Sequence, residues 1–249
     1  FPSDWTFMSG TSMASPQVAG AMTLVKQAHP DWTPAEIQSA LMLTAGEAYD
    51  SDSYGRKVPL QNFFRQGAGS LNVAAAAQAG LVMDETIENY LAANPVEGGR
   101  AEWLNTASMV NKDCQKTCSW IRTLKATKDG SWTATGESKY DSDAEVTVTP
   151  AQFSLRAGEE QTIMVTVDIK SDIFDAVSQT PFEDLATVDT NHLWFFGDVV
   201  LTETSGAAPA SHLPVIAAFE RGVLPDQIAL EIHREQGREI VGGLQLPET

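Results

Sequence analysis

Residues 7–20, FMSGTSMASPQVAG, set a small hydroxyl, Ser12, between a glycine turn and a run of helix formers. A serine after a glycine and before a helix is most often an N-cap that satisfies a free backbone N–H. The helix expected from Ser12 to His29 carries Met13, Val18, Met22, Leu24 and Val25, with Ala14, Ala19, Gly20 and Ala21 between them. Apolar and small residues therefore wrap nearly all the way round, which describes a buried helix. Pro16 is placed in the first turn, where its missing N–H costs little.

Downstream, TPAEIQSALMLTA (33–45) announces a second helix. Thr33 and Glu36 have capping-box spacing, Pro34 takes the first helical position, and Ile37, Ala40, Leu41 and Thr44 recur on one face. A third, short helix is expected from an Asn72 cap through VAAAAQA (73–79), stopping at Gly80. Between the second and third lies an acidic, Gly-punctuated loop, YDSDSYGRK (49–57).

From about Leu104 the period moves from 3.6 toward 2. AEVTVTP (144–150) puts Val146 and Val148 on one face, and QTIMVTVDI (161–169) does the same for Ile163, Val165, Val167 and Ile169. LWFFGDVVLT (193–202) and LPVIAAF (213–219) are further strands, and short strands separated by turn signals such as RAGEE (156–160) imply a β-sandwich. Pro and Gly cluster at NPVEGGR (94–100), so the expected division is 1–95, 96–220 and a charged linker or further module over 221–249. No internal repeat is evident.

The chain has 249 residues, of which 43% are hydrophobic and 20% charged, an ordinary globular balance with room for one large domain or two medium ones. Its net charge of −17 argues against nucleic acid and anionic membrane as partners, because both reward Lys and Arg. No apolar run approaches the roughly 18 residues of a spanning helix. The opening FPSDW has neither an initiator Met nor a leader and reads as mid-phrase, so a fragment is expected. Cys114 and Cys118, in CQKTC, lack the further soft ligands of a metal site. A short disulfide fits them better than two free buried thiols, and it implies an oxidising, secreted setting.

GTSMASPQVAG (10–20) resembles, position for position, the nucleophile motif of the subtilases, the subtilisin-like serine proteases. QAHPDWTPAEIQSALMLTA (27–45) continues the resemblance, and GAGSLNVAAAAQAGLV (67–82) looks like the closing segment of their catalytic domain. The resemblance implies an α+β chain overall. Helices and loops of a subtilisin-like α/β catalytic domain come first, followed by an all-β sandwich. It implies peptide-bond hydrolysis through an acyl-enzyme at Ser12, on a protein or peptide substrate. Gly10 and Thr11 would make the tight approach that projects Ser12, whose own backbone N–H is an oxyanion donor by resemblance. Met13 follows the nucleophile, as is usual in the family, and its oxidation should crowd the site.

A subtilase also needs an Asp, a His and an oxyanion Asn, and in this family all three precede the serine. Eleven residues precede Ser12, and none is His or Asn. His29 lies 17 positions further along the same helix, roughly 25 Å away at about 1.5 Å per residue. His192, His212 and His233 belong to the β half or beyond, and Asp4 without an imidazole to orient does nothing. The parent is therefore expected to be the endopeptidase. This chain alone is expected to be inactive, and its partner is the missing N-terminal part of its own catalytic domain. The alternative is a non-catalytic sandwich that supports a protease domain.

LNTASMV (104–110), CSWIRTLKAT (118–127) and VTVTPAQFSLRAGEEQTIMVTV (146–167) resemble the fibronectin type III-like domain that follows the catalytic domain in plant-type and many bacterial subtilases. DIFDAVSQTPFEDLATVDTNH (172–192) is a long connection, read as an inert insertion in preference to a contact loop. DSDSYG (50–55) has the flavour of a calcium loop, but position 12 counted from Asp50 is Gln61 and not Glu, so a solvated acidic loop is the better reading. Subtilases often bind calcium; no cofactor or metal site is located in this sequence. Trp120 and Trp132 are read as sandwich core.

Overall fold

A computed structural model of the chain describes residues 8–51, 54, 56–59, 63–139, 144–169, 192–220, 232–235 and 238–241. Asp4, the connection 170–191, most of 221–249, part of the acidic loop, and the side chains of His192 and His233 lie outside the described residues.

Four α-helices are present among these residues: α1 (Thr11–Ala28), α2 (Pro34–Leu43), α3 (Val73–Ala76) and α4 (Ile87–Ala92). In α2 the capping box is complete. The Thr33 side chain accepts from the Glu36 N–H, and the Glu36 carboxylate accepts from the Thr33 N–H. Asn72 caps α3 by accepting from the Ala75 N–H, but the helix ends at Ala76 and not near Gly80. The acidic loop folds as a hairpin of β1 (Tyr49–Ser51) on β2 (Lys57–Pro59). Only three residues pair on each side, too few for alternation to be legible.

The remaining strands are β3 (Leu81–Val82), β4 (Met109–Cys114), β5 (Thr117–Ala126), β6 (Gly130–Ser138), β7 (Ala144–Thr149), β8 (Gln152–Leu155), β9 (Glu160–Ile169), β10 (His192–Glu203), β11 (Ser211–Glu220), β12 (Ile232–Glu235) and β13 (Arg238–Val241). One sheet has the order β4-β11-β10-β6-β8 and faces another of order β3-β5-β9-β7. Between them lies a shared core that includes Trp120, Trp132, Ile163, Phe195 and Leu213. Both tryptophans are thus core residues. All neighbours in these sheets are antiparallel except β11 and β4. β12 and β13 form a separate hairpin.

The Pro- and Gly-rich stretch 94–100 is not a break in packing. β3, which precedes it, pairs with β5 (Leu81↔Ala126, Val82↔Lys125), and Leu43 of α2 is buried in the sandwich core. Cys114 and Cys118 form a disulfide that joins the end of β4 to the start of β5, across the corner between the sheets. A second, smaller core packs Ala21 and Val25 of α1 against Trp32, Ile37, Leu41 and Ala76.

Candidate functional site

Ser12 is not an N-cap. The helix starts one residue earlier, at Thr11, and its cap is Gly10, which has no side chain to accept a bond. Gly10 has φ 145° and ψ 170°, a backbone shape that L side chains rarely adopt, so glycine is required there by conformation. An added Cβ would meet nothing within 4 Å. The Gly10 carbonyl accepts from the N–H groups of Met13 (3.0 Å) and Ala14 (3.1 Å). The N–H groups of Thr11 and Ser12 have no acceptor among the described residues, as expected for a helix start. No acidic residue occupies the first turn, so no charge within that turn opposes the positive end of the helix dipole. Thr11 and Ser12 are exposed, and Met13 is half-buried.

Pro16 stands at the sixth helical position, in the second turn and not the first. An α-helix bonds each N–H to the carbonyl four residues back, so Pro16 leaves the Ser12 carbonyl without its intrahelical donor. The backbone on both sides of the Ser12 hydroxyl is therefore under-bonded.

α1 is also much less buried than its composition implies. Only Ala21 and Val25 are buried, while Val18 is 42% and Leu24 57% exposed. The reason is one-sided packing: within the described residues only the C-terminal half of α1 meets α2 and α3.

The two histidines whose side chains are described are engaged elsewhere. His29 is the C-cap of α1, stacked on Trp32 at 3.8 Å, and its Nε2 is 2.8 Å from the Ala77 carbonyl. His212, on β11, has Nε2 2.8 Å from the Ala68 carbonyl. The structure brings neither imidazole to Ser12.

The Ser12 unit is tied to the sandwich by groups that sequence inspection passed over. Glu36 is buried, and besides closing the capping box it accepts from Lys125 Nζ of β5 at 2.7 Å. That bond is the leading cause of the raised Lys125 pKa. The buried Ser39 hydroxyl donates to the Glu36 carbonyl and accepts from the Met83 N–H. Asn105 donates to the carbonyls of Asp84 and Thr123 and accepts from the Thr123 N–H. Apart from the Ser39–Glu36 bond, each of these partners is 18 to 89 residues away in sequence, which is why no local pattern announced the links.

Against known proteins, residues 3–69 match the model of the subtilase family. Subtilisin-like protease SBT3.18 of Arabidopsis thaliana is 42% identical over 91 residues, covering 35% of this chain and 12% of its own length. Subtilisin-like protease SBT2.5 of the same plant is 31% identical over 199 residues, covering 67% of this chain and 24% of its own. The chain thus spans between 12% and 24% of the length of these two relatives. The matches show that these residues are similar to segments of subtilisin-like proteases. Among solved structures, the periplasmic chaperone SfaE overlays 48% of this chain and 58% of its own at 16% identity, with a TM-score of 0.27. No described helix is long and apolar enough to cross a membrane.

Proposed function

We propose that these residues are the serine-bearing, C-terminal part of a secreted subtilisin-like serine endopeptidase, and that Ser12 is its acylated nucleophile. The observation that carries the reading is the placement of Ser12. It is exposed, one residue into a helix, behind a glycine with a backbone shape few other residues adopt. Its hydroxyl oxygen attacks the scissile carbonyl. The N–H groups of the first turn and the helix dipole face the negative charge that develops on the carbonyl oxygen. Gly10 and Thr11 hold that turn, and Met13 borders it.

By the resemblance, the Asp, the His and the oxyanion Asn of a subtilase all precede the serine, so this reading assigns them to residues outside these 249; the two described imidazoles, His29 and His212, are bonded elsewhere. The under-packed face of α1 is where that remainder of the catalytic domain sits. The sandwich is read as a fibronectin type III-like buttress, which the Glu36–Lys125 pair and the β3–β5 pairing support. The disulfide agrees with secretion.

A serine-reactive fluorophosphonate probe and a casein assay test the reading. The 249-residue chain alone should neither label quickly at Ser12 nor cleave casein, because an unactivated serine reacts poorly. The natural full-length protein should do both, and Ser12→Ala should abolish both. Rapid labelling of the isolated chain, or unchanged proteolysis in the full-length Ser12→Ala protein, overturns it.

A further inference from the structure

A cleft of about 560 Å³ lies between the outer face of β10 and β11 and the chain segments 45–48 and 66–69 that pass over it. That volume is within the range of about 300–1,000 Å³ typical of ligand sites. The floor is partly apolar, with Phe196, Val200 and Ile216, yet it carries one carboxylate, Asp198, which is only 8% exposed. A charge on such a floor is costly unless paired. Its ion-pair partner here is Lys139.

Asp198 and Lys139 are held very differently. Asp198 lies inside β10, paired to β11 on one side and β6 on the other. Across β11 its neighbour is Pro214, which has no N–H to offer. Lys139 lies just beyond the end of β6, with its backbone N–H on the Phe196 carbonyl, and its side chain is 37% exposed. A long side chain reaching in from the rim keeps much of its rotamer freedom and is easily exchanged. Among the described residues, the charged side chains lining the cleft are Glu47, Asp198 and Lys139, two carboxylates to one ammonium, with the His212 imidazole beside them.

We propose that this cleft is a binding site for an organic cation, an ammonium or guanidinium group, which takes the place of Lys139 on Asp198. Lys139 is the internal stand-in for that ligand. Free amines and the Lys or Arg side chains of a peptide share the chemistry.

Calorimetric titration of the full chain tests this with agmatine, the blocked tripeptide Gly-Arg-Gly, and the same tripeptide with citrulline in place of arginine. Both guanidinium probes should bind and the citrulline peptide should not. Lys139→Ala should tighten binding about 5-fold, the factor by which a partly exposed pair competes. Asp198→Asn should weaken it at least about 10-fold. Tighter binding of the tripeptide than of agmatine assigns a peptide source, and the reverse assigns a free amine; either order supports the site. Equal binding of the citrulline peptide overturns the proposal. So does a Lys139→Ala variant that binds no more tightly than the parent, or the absence of heat with both guanidinium probes. Should Asp198→Asn fail to fold, the Lys139→Ala and citrulline comparisons decide alone. None of these readouts involves proteolysis, so the site and the assignment of Ser12 stand or fall separately.

Discussion

Replacing Arg122 with Met should be among the most damaging single changes in the sandwich. Arg122 is 1% exposed on β5, and its guanidinium donates to the carbonyls of Thr106 (2.8 Å), Glu102 (3.2 Å), Ser108 (3.0 Å) and Ile121 (2.8 Å). These bonds close the irregular segment 102–108 onto the sheet. Burial, offset in part by the charge of Glu85, lowers its pKa to about 10, so it stays ionised at neutral pH. That shift corresponds to a cost of about 3 kcal/mol for keeping the charge inside. Four bonds from a charged donor, at about 1.5 to 3 kcal/mol each and less than additive, outweigh that cost. The expected net loss in Arg122→Met is about 3–5 kcal/mol, because methionine fills the space but leaves the carbonyls unmatched. In a chain of this size the melting temperature should fall by about 10 °C. Urea unfolding followed by tryptophan fluorescence reads the loss directly. Arg122→Lys should recover little, since an ammonium cannot reproduce the planar fork. A loss under about 1 kcal/mol in Arg122→Met, with an unchanged urea slope, would refute this account of how segment 102–108 is held.

Other perturbations separate the remaining contributions. The Ser205 hydroxyl foremost, then the N–H groups of Ala207 and Ser205, hold the Glu203 carboxyl at about 2 despite its burial, below its ordinary 4.5. A depressed carboxylate stabilises the fold above the unfolded pKa and loses that contribution as pH falls through the folded one. The urea midpoint should therefore drop between about pH 4.5 and 2, and less steeply in Glu203→Gln. Glu85 is lowered as well, its burial outweighed by hydrogen bonds from Asn105, Asn89 and Thr86, so some slope in that window should survive. Replacing Cys114 and Cys118 together with Ser should cost about 2 kcal/mol, the chain-entropy value for so short a loop, and reductant should then have no effect on the variant. Lys125→Met leaves Glu36 buried with one charged partner fewer. With Lys125 40% exposed at its side chain, screening limits the loss to about 1–2 kcal/mol, and a double-mutant cycle with Glu36→Gln should show the coupling.

Local order was legible before any coordinates. The Thr33–Glu36 capping box, the Asn72 cap, the alternation of Val146/Val148 and Ile163/Val165/Val167, and the core positions of Trp120 and Trp132 all depend on neighbours a few residues away or on a period. The same holds for the word around Ser12, a run of adjacent residues that the subtilase model matches. Several differences turn on a single residue of phase or on a length near the limit of a period. Starting α1 at Thr11 moves Pro16 into the second turn, α3 stops three residues early, and the β1–β2 hairpin is too short to alternate.

Tertiary structure alone decided what depends on segments far apart in the chain. β3 joins the sandwich across the Gly-rich boundary, Glu36 finds Lys125, and Arg122 gathers four carbonyls. The cleft over β10 and β11 forms where residues 45–48 and 66–69 cross a sheet built more than 100 positions later. Composition described α1 as a helix apolar on every side, and only the fold showed that this chain covers one end of it. Periodicity states which faces seek burial; what buries them is set by packing between elements, and that is written in no single stretch of the sequence.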